Sequence, residues 1–235
     1  MSAPSVLFLH GSGGRPDVWA MQLARFEGSS ALWLTDPADG PFPTTVGAAA
    51  ERVHPVLAAV PPPRVLVGHS LGGAVALDVA LSAPELVDGL VLITSGARLP
   101  VPDEAIERAR NDIDAEARRL VTEAYTDTDS PLVERSRQAI VEGGSEALTA
   151  AYLACRAHDM RGRLGGVSAP ALLVAGGRDP RTPPWLSAEL ARELPNAHLV
   201  MIAAGSHMVI TENAGQLNLL LAGFLARLEL TLSDL

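Results

Sequence analysis

The stretch Val65–Leu81 reads VLVGHSLGGAVALDVAL. A short apolar run, Val65–Val67, meets a serine framed by Gly68 and Gly72, and a helix-forming stretch starts at once. A polar Ser70 between a buried strand and a helix demands a sharp turn. The positions two residues to either side must then be glycine-like, because side chains there collide across the bend. The helix that opens at Leu71 points its N-terminal amides, with their partial positive charge, at the serine. In this strand–turn–helix setting, G-x-S-x-G has the form of a nucleophile elbow.

The rest of the chain supplies the sheet that such a turn needs. Short apolar runs at Val6–Leu9, Ala31–Leu34, Val65–Val67, Leu90–Thr94, Ala171–Ala175 and His198–Ile202 are continuous rather than alternating. Strands covered on both faces have that pattern. Helical stretches fall between and after them, at Trp19–Phe26, Val46–Ala59, Leu71–Ser82, Pro184–Glu193 and Gln216–Leu228. Alternating strands and helices predict an α/β fold with a parallel sheet and helices on both faces. Residues 100–166 break the alternation. Residues 103–124, 131–142 and 145–157 carry apolar positions at helical spacing, with Gly143-Gly144 as a stop. They predict a three-helix insertion.

Composition narrows the function. The chain of 235 residues carries a net charge of −9, and its 18 basic residues are all arginine. Chemistry that needs a lysine amine is excluded. Scattered arginines on an acidic chain argue against nucleic acid as a partner, since phosphate binding needs a concentrated basic surface. Cys155 is the single cysteine, which leaves no internal disulfide and no multi-cysteine metal site. The opening MSAPSVLFLHGSGG lacks a basic n-region, and its apolar run is short for a signal peptide. No stretch reaches the ~18 apolar residues of a membrane span. A cytoplasmic protein with no membrane partner is expected.

A serine nucleophile needs a base held in one tautomer. His207, in Ala204-Gly205-Ser206-His207-Met208, follows the last strand, where an open parallel sheet places functional groups. His10 and His69 flank the glycine motifs and fit loop-bracing roles, while His54 and His158 read as surface residues. The acid is expected on another loop of the same sheet edge. Asp179 follows the fifth strand directly, and the equivalent place after the fourth strand, Thr94-Ser95-Gly96, has no carboxylate. The chain order Ser70, Asp179, His207 is that of a known serine–acid–histidine arrangement. Leu9-His10-Gly11-Ser12-Gly13-Gly14 ends the first strand, and its glycine-rich loop offers a backbone amide to a developing oxyanion beside that of Leu71. A dinucleotide-binding loop fits this spacing poorly.

HGSGG, GHSLGG, GGRDPRTP and GSHM, in that order, make nearly the whole chain resemble the α/β-hydrolase superfamily, in a serine esterase-like branch. The resemblance implies Ser70 as nucleophile, His207 as base, Asp179 as its orienting acid, and oxyanion amides from Leu71 and from Ser12 or Gly13. It also implies a core domain of residues 1–99 and 167–235 beneath a helical cap, or lid, of residues 100–166. The expected fold is an α/β-hydrolase fold with a six-stranded, mostly parallel sheet that lacks the family's N-terminal hairpin. The family's turn after the second strand is altered here to Asp36-Pro37-Ala38-Asp39-Gly40. A serine at the elbow excludes the aspartate-nucleophile branches, and the absent lysine excludes the lyase branches. What remains is transfer of an acyl group to water, by a carboxylesterase, an enol-lactone type lactonase or a thioesterase. A ligand-binding receptor with slow turnover is the alternative of another class. Pocket candidates by loop position are Trp19, Leu99, Tyr125, Tyr152, Met160 and Met208. The expected partner is a small apolar ester or lactone, with no metal and no cofactor. The second strand, at the sheet's edge, offers a surface for a homodimer.

Overall fold

The computed structural model describes residues 3–233. Six strands, β1 (Ser5–Leu9), β2 (Ser30–Leu32), β3 (Arg64–His69), β4 (Gly89–Ile93), β5 (Ala171–Gly176) and β6 (Ala197–Ile202), form one sheet in the order β2-β1-β3-β4-β5-β6. Every neighbouring pair is parallel. The expectation of a mostly parallel sheet becomes an entirely parallel one among the described residues. β2 and β6 are the edge strands, and β2 is shorter than the apolar run Ala31–Leu34 implies. The backbone N–H of Leu34 leaves the ladder to donate to His10 Nε2 at 3.0 Å.

Alternate residues along each inner strand serve two apolar layers. Leu66, Leu90, Leu92 and Leu173 pack on one face against α2 (Val46–Ala58), α3 (Leu71–Ser82) and α7 (Pro184–Glu193). Val65, Val67, Val91 and Val174 pack on the other face with α9 (Ala214–Ser233) and the N-terminal segment around Trp19. This two-faced burial explains the continuous apolar runs. The stretch Trp19–Phe26 is a 3-10 turn, Pro16–Trp19, followed by the short α1 (Ala20–Leu23), rather than one helix.

The insertion between β4 and β5 is helical, but it divides differently. Residues 103–124 form two helices, α4 (Asp103–Asn111) and α5 (Ile113–Ala124). Asp112 separates them, and its carboxylate caps α5 by accepting from the Ala115 N–H at 3.0 Å. The two stretches 131–142 and 145–157 join as α6 (Pro131–Ala157), broken at Gly144, whose φ of 84° only glycine takes readily. α6 contributes Ile140 and Tyr152 to one apolar layer and Ala151 and Cys155 to the other. No helix among the described residues is long and apolar enough to cross a membrane.

The topology opens one crevice. From β1 the chain steps outward to β2, then crosses back to β3 and continues to β6. The loops leaving β1 and β3 at their carboxyl ends therefore diverge, and ligands of open parallel sheets bind at that point.

Candidate active site

Ser70 sits where β3 turns into α3, with φ 53° and ψ −118°, a conformation disfavoured for residues with a Cβ. Its N–H donates to the Ile93 carbonyl at 3.0 Å, and its own carbonyl accepts from the Ser95 hydroxyl at 2.8 Å. The glycine requirement is steric. A Cβ on Gly68 would stand 2.2 Å from the Gly72 carbonyl oxygen, and one on Gly72 would stand 2.3 Å from the Leu9 carbonyl oxygen. The second contact also brings the β1 loop against the start of α3, placing Gly11 and Ser12 beside Ser70 around one cavity.

His207 follows β6 just ahead of α8 (Val209–Glu212). Its Nδ1 lies 2.8 Å from Asp179 Oδ2, and both side chains are nearly closed to solvent. An Nδ1–H donated to that carboxylate leaves the Nε2 lone pair free. Asp179 is held on both oxygens. Oδ1 accepts from the N–H groups of Arg181 (2.8 Å) and Thr182 (3.0 Å). Oδ2 lies 2.5 Å from the Thr182 hydroxyl. Burial pushes the Asp179 carboxyl up, but His207 and the bonds from Thr182 outweigh it and hold it below the usual carboxylate range. The His207 carbonyl accepts from the Thr94 hydroxyl at 3.1 Å and from His69 Nε2 at 3.0 Å.

The two flanking histidines are structural and neutral. His10 Nδ1 donates to the Gly11 carbonyl at 2.8 Å while its Nε2 accepts from Leu34. Burial pushes His10 down to about 4 and His69 to about 3, the latter with His207 acting in the same direction. His158 corrects an expectation. It is buried rather than exposed, with Nε2 3.3 Å from the Gly96 carbonyl, and burial lowers it to about 4.

Two cavities meet at Gly11, Ser12, His69 and Met208. The smaller, of about 70 Å³, is lined by Ser70 and His207 and roofed by Leu120, Tyr152 and Cys155 of the insertion. The larger, of about 230 Å³, lies between the β1 loop and α6, against Tyr125, Leu132 and Ile140. Of the predicted pocket residues, Leu99 and Tyr152 line the smaller cavity, Tyr125 the larger, and Met208 both. Trp19 and Met160 do not line them. Trp19 is fully buried with its ring 4.8 Å from Phe8, and Met160 lies in the apolar layer below α6. Ser12 stands at the rim with Oγ 3.6 Å from Cys155 Sγ, and burial pushes that thiol up to about 11. Leu71, whose amide opens α3, is buried beneath.

Three contributors escaped the sequence. Thr94 takes φ 43°, unusual for a β-branched residue, and its carbonyl accepts from Thr182 Oγ1 at 2.8 Å. Thr182 ties Asp179, Thr94 and His207 together, and its proximity to Asp179 in a D-x-x-T turn was a readable signal. Arg181 lines the smaller cavity.

The fold and these loops define the class. A model described as the alpha/beta hydrolase family matches residues 6–218, and the chain belongs to that family. It is 31% identical over 232 residues to a protein of Agrobacterium fabrum named as a carbamate hydrolase, RutD, covering 89% of this chain and 88% of the relative. It is 28% identical over 229 residues to a pimeloyl-[acyl-carrier protein] methyl ester esterase of Neisseria meningitidis, covering 89% and 88%. Among solved structures, a thermophilic esterase superposes with a TM-score of 0.84 at 28% identity, covering 95% of this chain and 90% of that one. The enol-lactonase of Burkholderia xenovorans shares the fold with a TM-score of 0.85 at 19% identity, covering 96% and 92%. The chain is a hydrolase by family.

Proposed function

We propose that the protein hydrolyses carboxylic esters of small to medium apolar substrates through an acyl-enzyme on Ser70. The observation that carries this reading is that Ser70, on its strained turn, shares one cavity with a His207 whose Nδ1 is bonded to a buried Asp179. Ser70 Oγ attacks the ester carbonyl while His207 Nε2 takes its proton. The amides of Ser12 and Leu71 receive the developing oxyanion. The tetrahedral intermediate expels the alcohol, which leaves with the proton from His207. Water then attacks the acyl-Ser70 ester, again giving its proton to His207, and the acid departs as Ser70 is regenerated. Asp179 stays ionised and stabilises the imidazolium between steps. The insertion, residues 100–166, acts as a lid whose inner side shapes both cavities.

The methyl ester named for the Neisseria relative supports an oxygen ester as the scissile group. Hydrolysis of p-nitrophenyl esters of increasing acyl length, wild type beside Ser70→Ala, tests the reading. Multiple turnover that disappears in the variant is expected. Folded wild-type protein that turns over none of them, or a variant that keeps its rate, overturns it.

A further inference from the structure

The cavity around Ser70 holds a cation that the hydrolytic steps do not use. Arg181 follows Asp179 by two residues, and its N–H bonds the Asp179 carboxylate at 2.8 Å, which fixes where its side chain starts. That side chain lines the same cavity as Ser70 and His207 and is only 20% exposed. Its Nη1 donates to Glu123 Oε2 at 3.1 Å, so the guanidinium does not stand alone. Glu123, however, is shared. It also pairs with Arg119 Nη2 at 2.8 Å, and Arg119 reaches Glu116 at 3.2 Å. Glu116, fully buried, takes Arg108 Nε at 2.7 Å and the Tyr152 hydroxyl at 2.9 Å. The chain Arg108–Glu116–Arg119–Glu123–Arg181 thus holds three guanidiniums against two carboxylates. Arg108 and Arg119 are each about a third exposed to solvent, while Arg181 is the most enclosed and faces the reaction cavity.

A guanidinium carries five N–H donors in a fixed fork that matches a carboxylate. Glu123 is bonded to Nη1 alone. The same cavity is lined also by Leu99, Val101 and Leu120, whose side chains cannot accept a hydrogen bond. A neutral, apolar substrate part that displaced water here would leave the guanidinium's other N–H donors with only Glu123 and the Tyr152 hydroxyl beside it, at a cost that an anion avoids. Asp179 does not serve, because its oxygens are already occupied by His207, Thr182 and two backbone amides. The Tyr152 phenol, raised chiefly by burial, is drawn back by Arg181, which places the guanidinium beside it at the cavity roof.

Resting on the reading of Ser70 as the nucleophile and narrowing its otherwise apolar substrate class, we infer that the preferred substrates carry one carboxylate close to the scissile ester and that Arg181 is the residue that selects it. The apolar remainder of the substrate extends past Met208 into the larger cavity.

Matched pairs of esters test this. On the acyl side, monoethyl glutarate is compared with ethyl valerate. On the alcohol side, 3-carboxyphenyl butyrate is compared with 3-methylphenyl butyrate. The readout is the ratio of kcat/KM, anionic over neutral, on the same protein preparation, so a variant's loss of folded enzyme cancels. In the wild type at least one pair favours the anion, and added salt lowers that preference. Arg181→Gln lowers the favoured ratio on the order of 10- to 100-fold, as expected for a charge-assisted bond. Arg181→Lys keeps a larger part of it. A wild type that prefers the neutral ester in both pairs overturns the inference whether or not the variants fold. So does a ratio that Arg181→Gln leaves unchanged, and in both cases Ser70-dependent hydrolysis of the neutral esters still stands. Loss of all hydrolysis of both kinds by folded wild type removes the Ser70 reading itself, and this inference with it.

Discussion

Thr94, Asp179 and Thr182, at the ends of β4 and β5, are almost wholly buried and bond largely to main chain. Arg119, Glu123 and Arg137, in the helical insertion, are partly exposed and bond to one another or to other long side chains. The strand ends leave these side chains little freedom, because each is tied to a backbone that the sheet already holds. The insertion uses flexible charged side chains that can change without disturbing a strand. On the proposed function, the contrast becomes a division of labour in which the sheet edge positions the chemistry and the insertion selects what reaches it.

The sharpest way to break that division is at the strand ends. Ser70→Ala and His207→Ala are each expected to lower kcat by roughly 10⁴-fold or more, and the double variant scarcely further, because the pair acts as a unit. Esterase kinetics on the three proteins check this. A double variant whose loss is the product of the single losses would mean that the two residues act independently.

Titration reaches both regions and gives the next largest effect. His10 and His69 at the strand ends, and His158 just after α6, have folded values of about 4, 3 and 4 against an ordinary 6.5. A depressed histidine is kept neutral by the fold, so below pH ~6.5 the unfolded chain binds the more protons and stability falls with falling pH. Three such groups remove up to about 4 kcal/mol for each pH unit until their folded values are reached. Asp179 acts in the same direction at lower pH. Its stabilisation is present above the unfolded carboxylate value and is lost as pH falls through its lowered folded value. Urea unfolding at pH 8, 6.5 and 5 reads the slope, and a flat profile from 6.5 to 5 would contradict the neutral assignments.

How much of this was legible depends on whether the determinant is local. The alternation of strand and helix, the elbow at Ser70 and the placing of Asp179 and His207 after successive strands all follow from short runs and their order. The break at Asp112 was written locally too, since an aspartate three residues before Ala115 is a cap signal, but helical periodicity on both sides masked it. Trp19 and Met160 lie away from both cavities for another reason. An apolar residue near a strand end packs inward or lines a cavity according to its rotamer and neighbours, and Phe8 claims Trp19. His158 was misplaced because its partner, the Gly96 carbonyl, lies 62 residues away. Arg181 stands two residues from Asp179 in sequence, yet its meaning depends on Glu123 and Tyr152, which only the insertion brings to it.

A matched pair of glycine substitutions compares the backbone tolerance of the two regions. Gly72→Ala drives a Cβ to 2.3 Å from the Leu9 carbonyl oxygen, a main-chain atom held in the sheet. We expect a loss of roughly 3 kcal/mol or more, or failure to fold. Gly143→Ala, in α6, meets nothing within 4 Å. Alanine there is expected to be neutral or to stabilise by up to about 1 kcal/mol. Chemical denaturation of both variants measures the difference, and equal effects would remove the contrast in rigidity.

The smallest effect is expected where the insertion touches the core through charge alone. Arg135 on α6 bonds Asp17 by both Nε (3.0 Å) and Nη2 (2.7 Å), and Arg15 of the β1 loop bonds Glu142 at 2.7 Å. Both pairs span from the β1 side to the insertion, and Arg15, Asp17 and Arg135 line the larger cavity. The Arg135 and Asp17 side chains are 64% and 46% exposed, so water screens them and side-chain entropy opposes them. A double-mutant cycle with Arg135→Ala and Asp17→Ala should give a coupling below about 1 kcal/mol in global stability, shrinking further in 0.5 M salt. On the proposal that the insertion acts as a lid held over the larger cavity by these contacts, the same variants change KM for long-chain esters more than they change stability. A coupling of several kcal/mol, insensitive to salt, would instead mean that these pairs act as buried contacts rather than as screened surface charges.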